Sequence, residues 1–66
     1  MSTVKFYFWQ MDTAVEITGV DVSDAKFQEW AQMLHEGKVW LGYSRADQRT
    51  TAIDLSKVFM IELRDG

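Results

Sequence analysis

Apolar residues recur at two different periods along this chain, and the change of period separates its elements. Over 20–38, VDVSDAKFQEWAQMLHEGK, the residues Phe27, Trp30, Ala31 and Leu34 keep the i, i+3, i+4, i+7 spacing of one helix face. Gln28, Glu29, Gln32 and Glu36 take the opposite side. Ser23 has the hydroxyl of a good N-cap, Asp24 places negative charge at the positive helix end, and Gly37 stands where a left-handed residue ends a helix. Val22 and Phe27 have the spacing of a hydrophobic staple. Together these signals predict one amphipathic helix over 24–36.

The remaining segments read as strands. VKFYFWQM, 4–11, sets Val4, Phe6 and Phe8 on one side and Tyr7, Trp9 and Met11 on the other, so both faces are apolar. The pair DT turns the chain into AVEITGV, 14–20, where Val15 and Ile17 alternate with Glu16 and Thr18, and the two runs predict a hairpin. After the helix, KVWLGYS, 38–44, sets Val39, Leu41 and Tyr43 against Trp40 and Gly42. RADQR is a polar loop, TTAID a short strand, LSK a tight corner and VFMIEL a closing strand, with Phe59, Ile61 and Leu63 opposite Val58 and Met60. The predicted order is β-β-α-β-β-β. It specifies an α+β domain with a single antiparallel sheet of four to five strands and one amphipathic helix on one face. The first and last strands, apolar on both faces, are expected to be central neighbours.

One helix covers one face of a sheet. The second face, expected to carry Tyr7, Trp9, Trp40, Val58 and Met60, then has nothing in the chain to cover it. A surface of that kind amounts to several hundred Å², the range in which exposed apolar area marks an interaction site. The expectation is a non-enzymatic binding or assembly module that self-associates through this face as a homodimer.

Composition supports self-association. The chain has 66 residues, read as one domain over 1–66, and a domain of that size buries only about 60% of the surface its unfolded chain exposes. It contains no cysteine and a single histidine, His35, so neither a disulfide nor a structural zinc site is available as a staple. No cofactor is implied. The lack of cysteine and of a leader-like N-terminal run predicts a cytoplasmic protein, and no apolar stretch approaches the roughly 20 residues of a membrane span. A net charge of −3 argues against general affinity for a nucleic-acid backbone.

Catalytic constellations are weak. His35 falls in the last helical turn, where an imidazole suits the negative helix end, and no nucleophile pattern accompanies it. Asp21 with Asp24 belongs to a helix start, Asp54 with Glu62 to turn and surface positions, and the glycines stand alone without a phosphate-cradling loop. No enzyme activity is expected. Two other classes compete with self-association. Aromatics on a sheet face stack unpaired bases, with Lys5, Arg45 and Arg49 as phosphate contacts, which describes a small single-stranded nucleic-acid-binding protein. Arg45 and Arg49 flank one short loop and could converge on an anion, although Asp47 offsets part of that charge and favours a solvated loop. The other class is an acidic inhibitor of a DNA-acting host enzyme, which would need Asp12, Glu16, Asp21, Asp24, Glu29 and Glu36 gathered on one surface.

The segment AIDLSKVFMIEL resembles the closing segment of small uncharacterised proteins of Gram-positive bacteria, their phages and plasmids. Those combine an aromatic N-terminal strand and an acidic helix with a final I-N-L-S-x-I-x-x-I-E type run. The matching positions are Ile53, Asp54, Leu55, Ser56, Val58, Ile61 and Glu62, with aspartate at 54 where asparagine is common. The resemblance implies the same architecture and an accessory role, and carries no catalytic motif. Local chemistry alone also accounts for the corner, since Asp54 and Ser56 can bond nearby backbone N–H groups.

Overall fold

The computed structural model describes residues 2–65. Strands β1 (Ser2–Phe8) and β2 (Val15–Val20) precede helix α1 (Asp24–Glu36). Then come β3 (Val39–Ser44), β4 (Arg49–Asp54), a single 3₁₀ turn (Leu55–Lys57) and β5 (Val58–Asp65). The α+β class and element order match the sequence pattern. The single sheet of four to five strands does not. The strands form two sheets, one ordered β2-β1-β5 and the other the β3-β4 hairpin, both antiparallel. β1 is the neighbour of β5 and is central, but only within three strands, and β5 is an edge strand instead of a central one.

The physical reason for the split lies at Gly19. The β1–β2 register runs Phe6↔Val15, Lys5↔Glu16, Val4↔Ile17 and then slips to Ser2↔Val20, so β2 carries an extra residue just there. Gly19 has φ +72, a conformation glycine adopts without a Cβ penalty. A Cβ on it would also stand 2.8 Å from the backbone nitrogen of Ala46 in the β3–β4 turn. A bulge of this kind bends its strand, and beyond it β2 still pairs with β1 at Ser2↔Val20 while meeting the other hairpin at one corner. There Arg45 N–H donates to the Gly19 carbonyl at 3.1 Å. The fully buried Ser44 hydroxyl donates to the Thr18 carbonyl and accepts from Asp47 N–H.

Both sheets turn their inner faces to one core, built from Val4, Phe6, Ile17, Val20, Trp30, Trp40, Ile53, Leu55 and Val58. Trp40 is its centre. Its ring lies 4.8 Å from Phe6 of β1 and 5.1 Å, edge-on, from Trp30 of the helix. It also lies over Gly42 two residues along its own strand, where any Cβ would overlap the six-membered ring. The indole N–H is buried without an acceptor among the described residues. Such an omission costs about 1–3 kcal/mol, which the packing of a large aromatic offsets.

Helix α1 has the predicted bounds, and its ends are built as the sequence implied. Ser23 accepts from Lys26 N–H at 3.2 Å. At the other end Gly37, at φ +67, donates to the Leu34 carbonyl while Lys38 N–H donates to that of Met33, a Schellman closure. The buried stripe differs by one residue: Phe27, Trp30, Met33 and Leu34 reach the core, whereas Ala31 is exposed. The helix packs across β3, the 3₁₀ turn and β5. Asp54 caps that turn, accepting from Ser56 N–H at 3.0 Å and from its hydroxyl at 2.7 Å, and these bonds hold its carboxyl below the usual range.

Two substitutions test this packing. Trp30→Ala removes a buried aromatic from the helix stripe and should cost about 3–5 kcal/mol, read as the shift of a urea midpoint. Gly42→Ala should cost about 1–3 kcal/mol by overpacking against Trp40, with loss of the near-ultraviolet dichroism of the Trp30–Trp40 pair.

Candidate interaction surface

Five residues were expected to share one bare apolar face, and the structure divides them. Tyr7, Trp9 and Met60 stay on the outside, with Trp9 71% and Met60 40% exposed. Trp40 and Val58 do not: Trp40 is fully buried and Val58 is 4% exposed. For Trp40 the reason is Gly42, which leaves on the inner face of β3 the space an indole needs. Val39, Leu41 and Tyr43 consequently point outward.

For Val58 the reason is a bulge. Tyr7 pairs with Met60, but Phe8 pairs with Val58, so Phe59 is an additional residue in β5. The alternation expected along VFMIEL is broken at that point. Val58 joins Ile61 at the core while Phe59 and Met60, though consecutive, are both exposed. The added residue creates the main feature of this surface. Trp9 lies against Phe59 with ring centroids 4.7 Å apart and tilted at 40°, and Tyr7 stands 6.3 Å from Phe59. The chain is held there by Trp9 N–H donating to the Lys57 carbonyl at 3.1 Å and by a turn in which Met11 N–H donates to the Phe8 carbonyl. Beside the ridge opens a hollow of about 570 Å³ lined by Phe8, Trp9, Gln10, Met11, Ser56 and Lys57. Sequence reading missed Phe59, because an alternating pattern assigns it to the core. A bulge leaves no simple mark in an apolar run.

The other half of the same outer face is polar. Lys5 lies between Glu16 and Glu62 in the register and approaches Glu16 at 3.9 Å. Tyr7 donates its hydroxyl to Glu62 Oε1 at 3.0 Å. That bond, together with the neighbouring negative charge, raises the phenol above its ordinary value.

The basic and acidic candidates are largely paired with one another. Arg45 meets Asp21 at 3.1 Å, so an anion there would compete with a resident carboxylate. Arg49 opens β4 opposite Ser44, at the far side of the turn. Lys26 meets Glu29 at 3.5 Å and Lys38 meets Glu36 at 3.2 Å, the latter bond helping to hold the Glu36 carboxyl low. Of the six carboxylates singled out for mimicry of a nucleic acid, Glu16, Asp21, Glu29 and Glu36 thus face a cation. His35 is exposed in the last helical turn. Among the described residues no group of three or more His, Cys, Asp or Glu side chains could hold a metal ion, and no helix is long and apolar enough to cross a membrane.

The Tyr7–Glu62 bond has a measurable signature. A neutral phenol that donates to a carboxylate favours the fold below the unfolded tyrosine value of about 10, and this preference is lost as pH rises through the higher folded value. Glu62→Ala should therefore lower the Tyr7 midpoint in a phenolate-absorbance titration. An unchanged midpoint would show that the bond does not form in solution.

No family model matches the chain, and neither does any curated protein or solved structure.

Proposed function

We propose that this chain is a non-enzymatic binding or assembly module that self-associates through the outer ridge of Tyr7, Trp9, Phe59 and Met60, an accessory role of the kind its closing segment resembles. The observation that carries this reading is the tilted Trp9–Phe59 contact. An indole 71% exposed lies on a phenyl ring 45% exposed, on the side of the sheet away from the helix. Leaving such rings in water forgoes about 1.5–3 kcal/mol per large side chain that burial would return. Tryptophan and tyrosine at the centre of a patch, with charged groups at its rim, are the composition of interface hot spots. Here the rim is Lys5, Glu62 and Lys57, and the centre is uncharged. Two copies related by a two-fold axis would bring ridge against ridge without opposing like charges at the middle.

A second reading draws on Lys57, which lines the hollow beside Trp9. A base stacked on the indole with its phosphate near that ammonium would be the contact of a single-stranded nucleic-acid-binding protein. The net charge of −3 and the internal partners of Lys5 and Arg45 make it the weaker of the two.

Sedimentation equilibrium separates them. The native chain is expected to sediment as a dimer at high micromolar concentration. Trp9→Asp, which sets a charge without a partner into the contact, should weaken the dimer at least about thirtyfold, the minimum effect of losing a hot spot worth about 2 kcal/mol or more. A native chain that is monomeric, and whose tryptophan emission is quenched saturably by single-stranded oligonucleotide at low salt, would replace this reading with the second.

A further inference from the structure

The β3–β4 hairpin has an open edge. In an antiparallel ladder, residues that exchange hydrogen bonds alternate with residues whose N–H and C=O point the other way. Leu55 N–H donates to the Lys38 carbonyl at 3.0 Å, extending the register in which Trp40 faces Ile53, Gly42 faces Thr51 and Ser44 faces Arg49. Lys38, Trp40, Gly42 and Ser44 are thus the residues bonded to β4. The backbone groups of Val39, Leu41, Tyr43 and Arg45 point to the opposite side. Arg45 agrees with this phase, since its N–H reaches the Gly19 carbonyl of β2. Beyond that corner β2 pairs with β1, and among the described residues no strand pairs with β3 on that side. Instead there is an open hollow of about 270 Å³ along the edge, lined in part by Val20, Lys26, Trp30, Leu41 and Tyr43.

The strand itself carries no guard, although Asp21, Lys26 and Arg45 stand around the hollow beside it. Natural edge strands are usually guarded by a lysine, a proline or a bulge. Val39–Ser44 contains no charge, no proline and no register shift. Its outward side chains are apolar and wet, with Leu41 69%, Val39 54% and Tyr43 52% exposed.

We infer that the free edge of β3 pairs antiparallel with the β3 edge of a second copy, joining two hairpins into a four-stranded sheet β4-β3-β3-β4. The occupant follows from self-complementarity. A two-fold axis through Gly42 sets Leu41 opposite Tyr43 of the second copy. Both residues have their backbone groups on the open edge, so each of the two symmetric pairs exchanges two N–H···O bonds. Leu41 then meets the ring of that tyrosine on the outer face, an aliphatic–aromatic cross-strand pair of the stabilising kind. Gly42 meets Gly42 at the axis, bare on the outer face and covered on the inner face by the Trp40 ring of its own strand. The charges at the strand ends, Lys38 and Arg45, fall away from the axis, and Arg45 keeps its own carboxylate, Asp21. This contact does not involve the Trp9 ridge and stands or falls separately from it.

Amide hydrogen exchange by NMR tests the pairing in the Trp9→Asp background, which removes the other proposed contact. The Leu41 and Tyr43 amides should exchange freely in dilute protein and become progressively protected as concentration rises, with the mass rising in parallel. Leu41→Pro deletes an N–H that β4 does not use, a substitution edge strands tolerate, and should abolish the protection at Tyr43. If that variant does not fold, Leu41→Lys with Tyr43→Lys restores a charged edge and should give the same loss. Protection that is absent at every concentration, present already in the monomer, or retained in the lysine variant overturns the inference. A chain that associates only while Trp9 is intact also overturns it and leaves the ridge as the sole contact.

Discussion

Trp40 is the constraint on which the rest of the structure depends. A single indole touches Phe6 from one sheet, Trp30 from the helix and Gly42 from its own strand, so it is the piece that three separate elements have in common. Its position decides which face of β3 is inside. With Trp40 inward, Val39, Leu41 and Tyr43 must lie outward, because successive side chains of a strand point to opposite faces. The exposed apolar row on β3 is therefore the consequence of a core residue. It is not an independent property of those three positions.

The second constraint is the corner where Gly19, Thr18, Ser44 and Arg45 meet. In a small chain without disulfides, two sheets must be tied by hydrogen bonds and packing alone. The buried Ser44 hydroxyl serves both hairpins, donating to one and accepting from the turn of the other. Because glycine lets β2 bend here, the hairpins can share a core with one small helix over it. Beyond this corner β2 pairs with β1 and, among the described residues, no strand pairs with β3 on that side, so a strand edge is left unpaired.

Two irregularities thus lie at the two surfaces. The residue added to β2 at Gly19 marks the corner beyond which the β3 edge is unpaired, and the residue added to β5 at Phe59 sets Phe59 and Met60 outside together. Bulges commonly re-aim side chains near functional surfaces. In this chain one of them assembles an aromatic ridge from residues that lie some fifty positions apart in sequence.

The sequence by itself determined everything that depends on near neighbours. Helix α1 with Ser23 and Gly37 at its ends, the first hairpin and the Asp54–Ser56 corner follow from caps, turn chemistry and period, each acting over a few residues, although β1 ends at Phe8 and leaves Trp9 and Met11 in the connection instead of on the strand. It also determined that one helix is too little cover for strands apolar on both sides, and of the five residues this placed outside, Trp9 and Met60 are exposed, Tyr7 is half-buried, and Trp40 and Val58 are buried. Only the tertiary structure decided which apolar face is the inner one. In β3 the period groups Val39, Leu41 and Tyr43 against Trp40, Gly42 and Ser44 and sets Trp40 on the side expected to be bare, but the choice fell the other way because the void at Gly42 fits the Trp40 ring. In β5 one extra residue reversed the alternation, moving Val58 inward and Phe59 outward. The division into two sheets likewise depended on where the bend at Gly19 met the turn around Ala46. These outcomes rest on the fit of surfaces remote in sequence, and local hydrophobic pattern does not encode that fit.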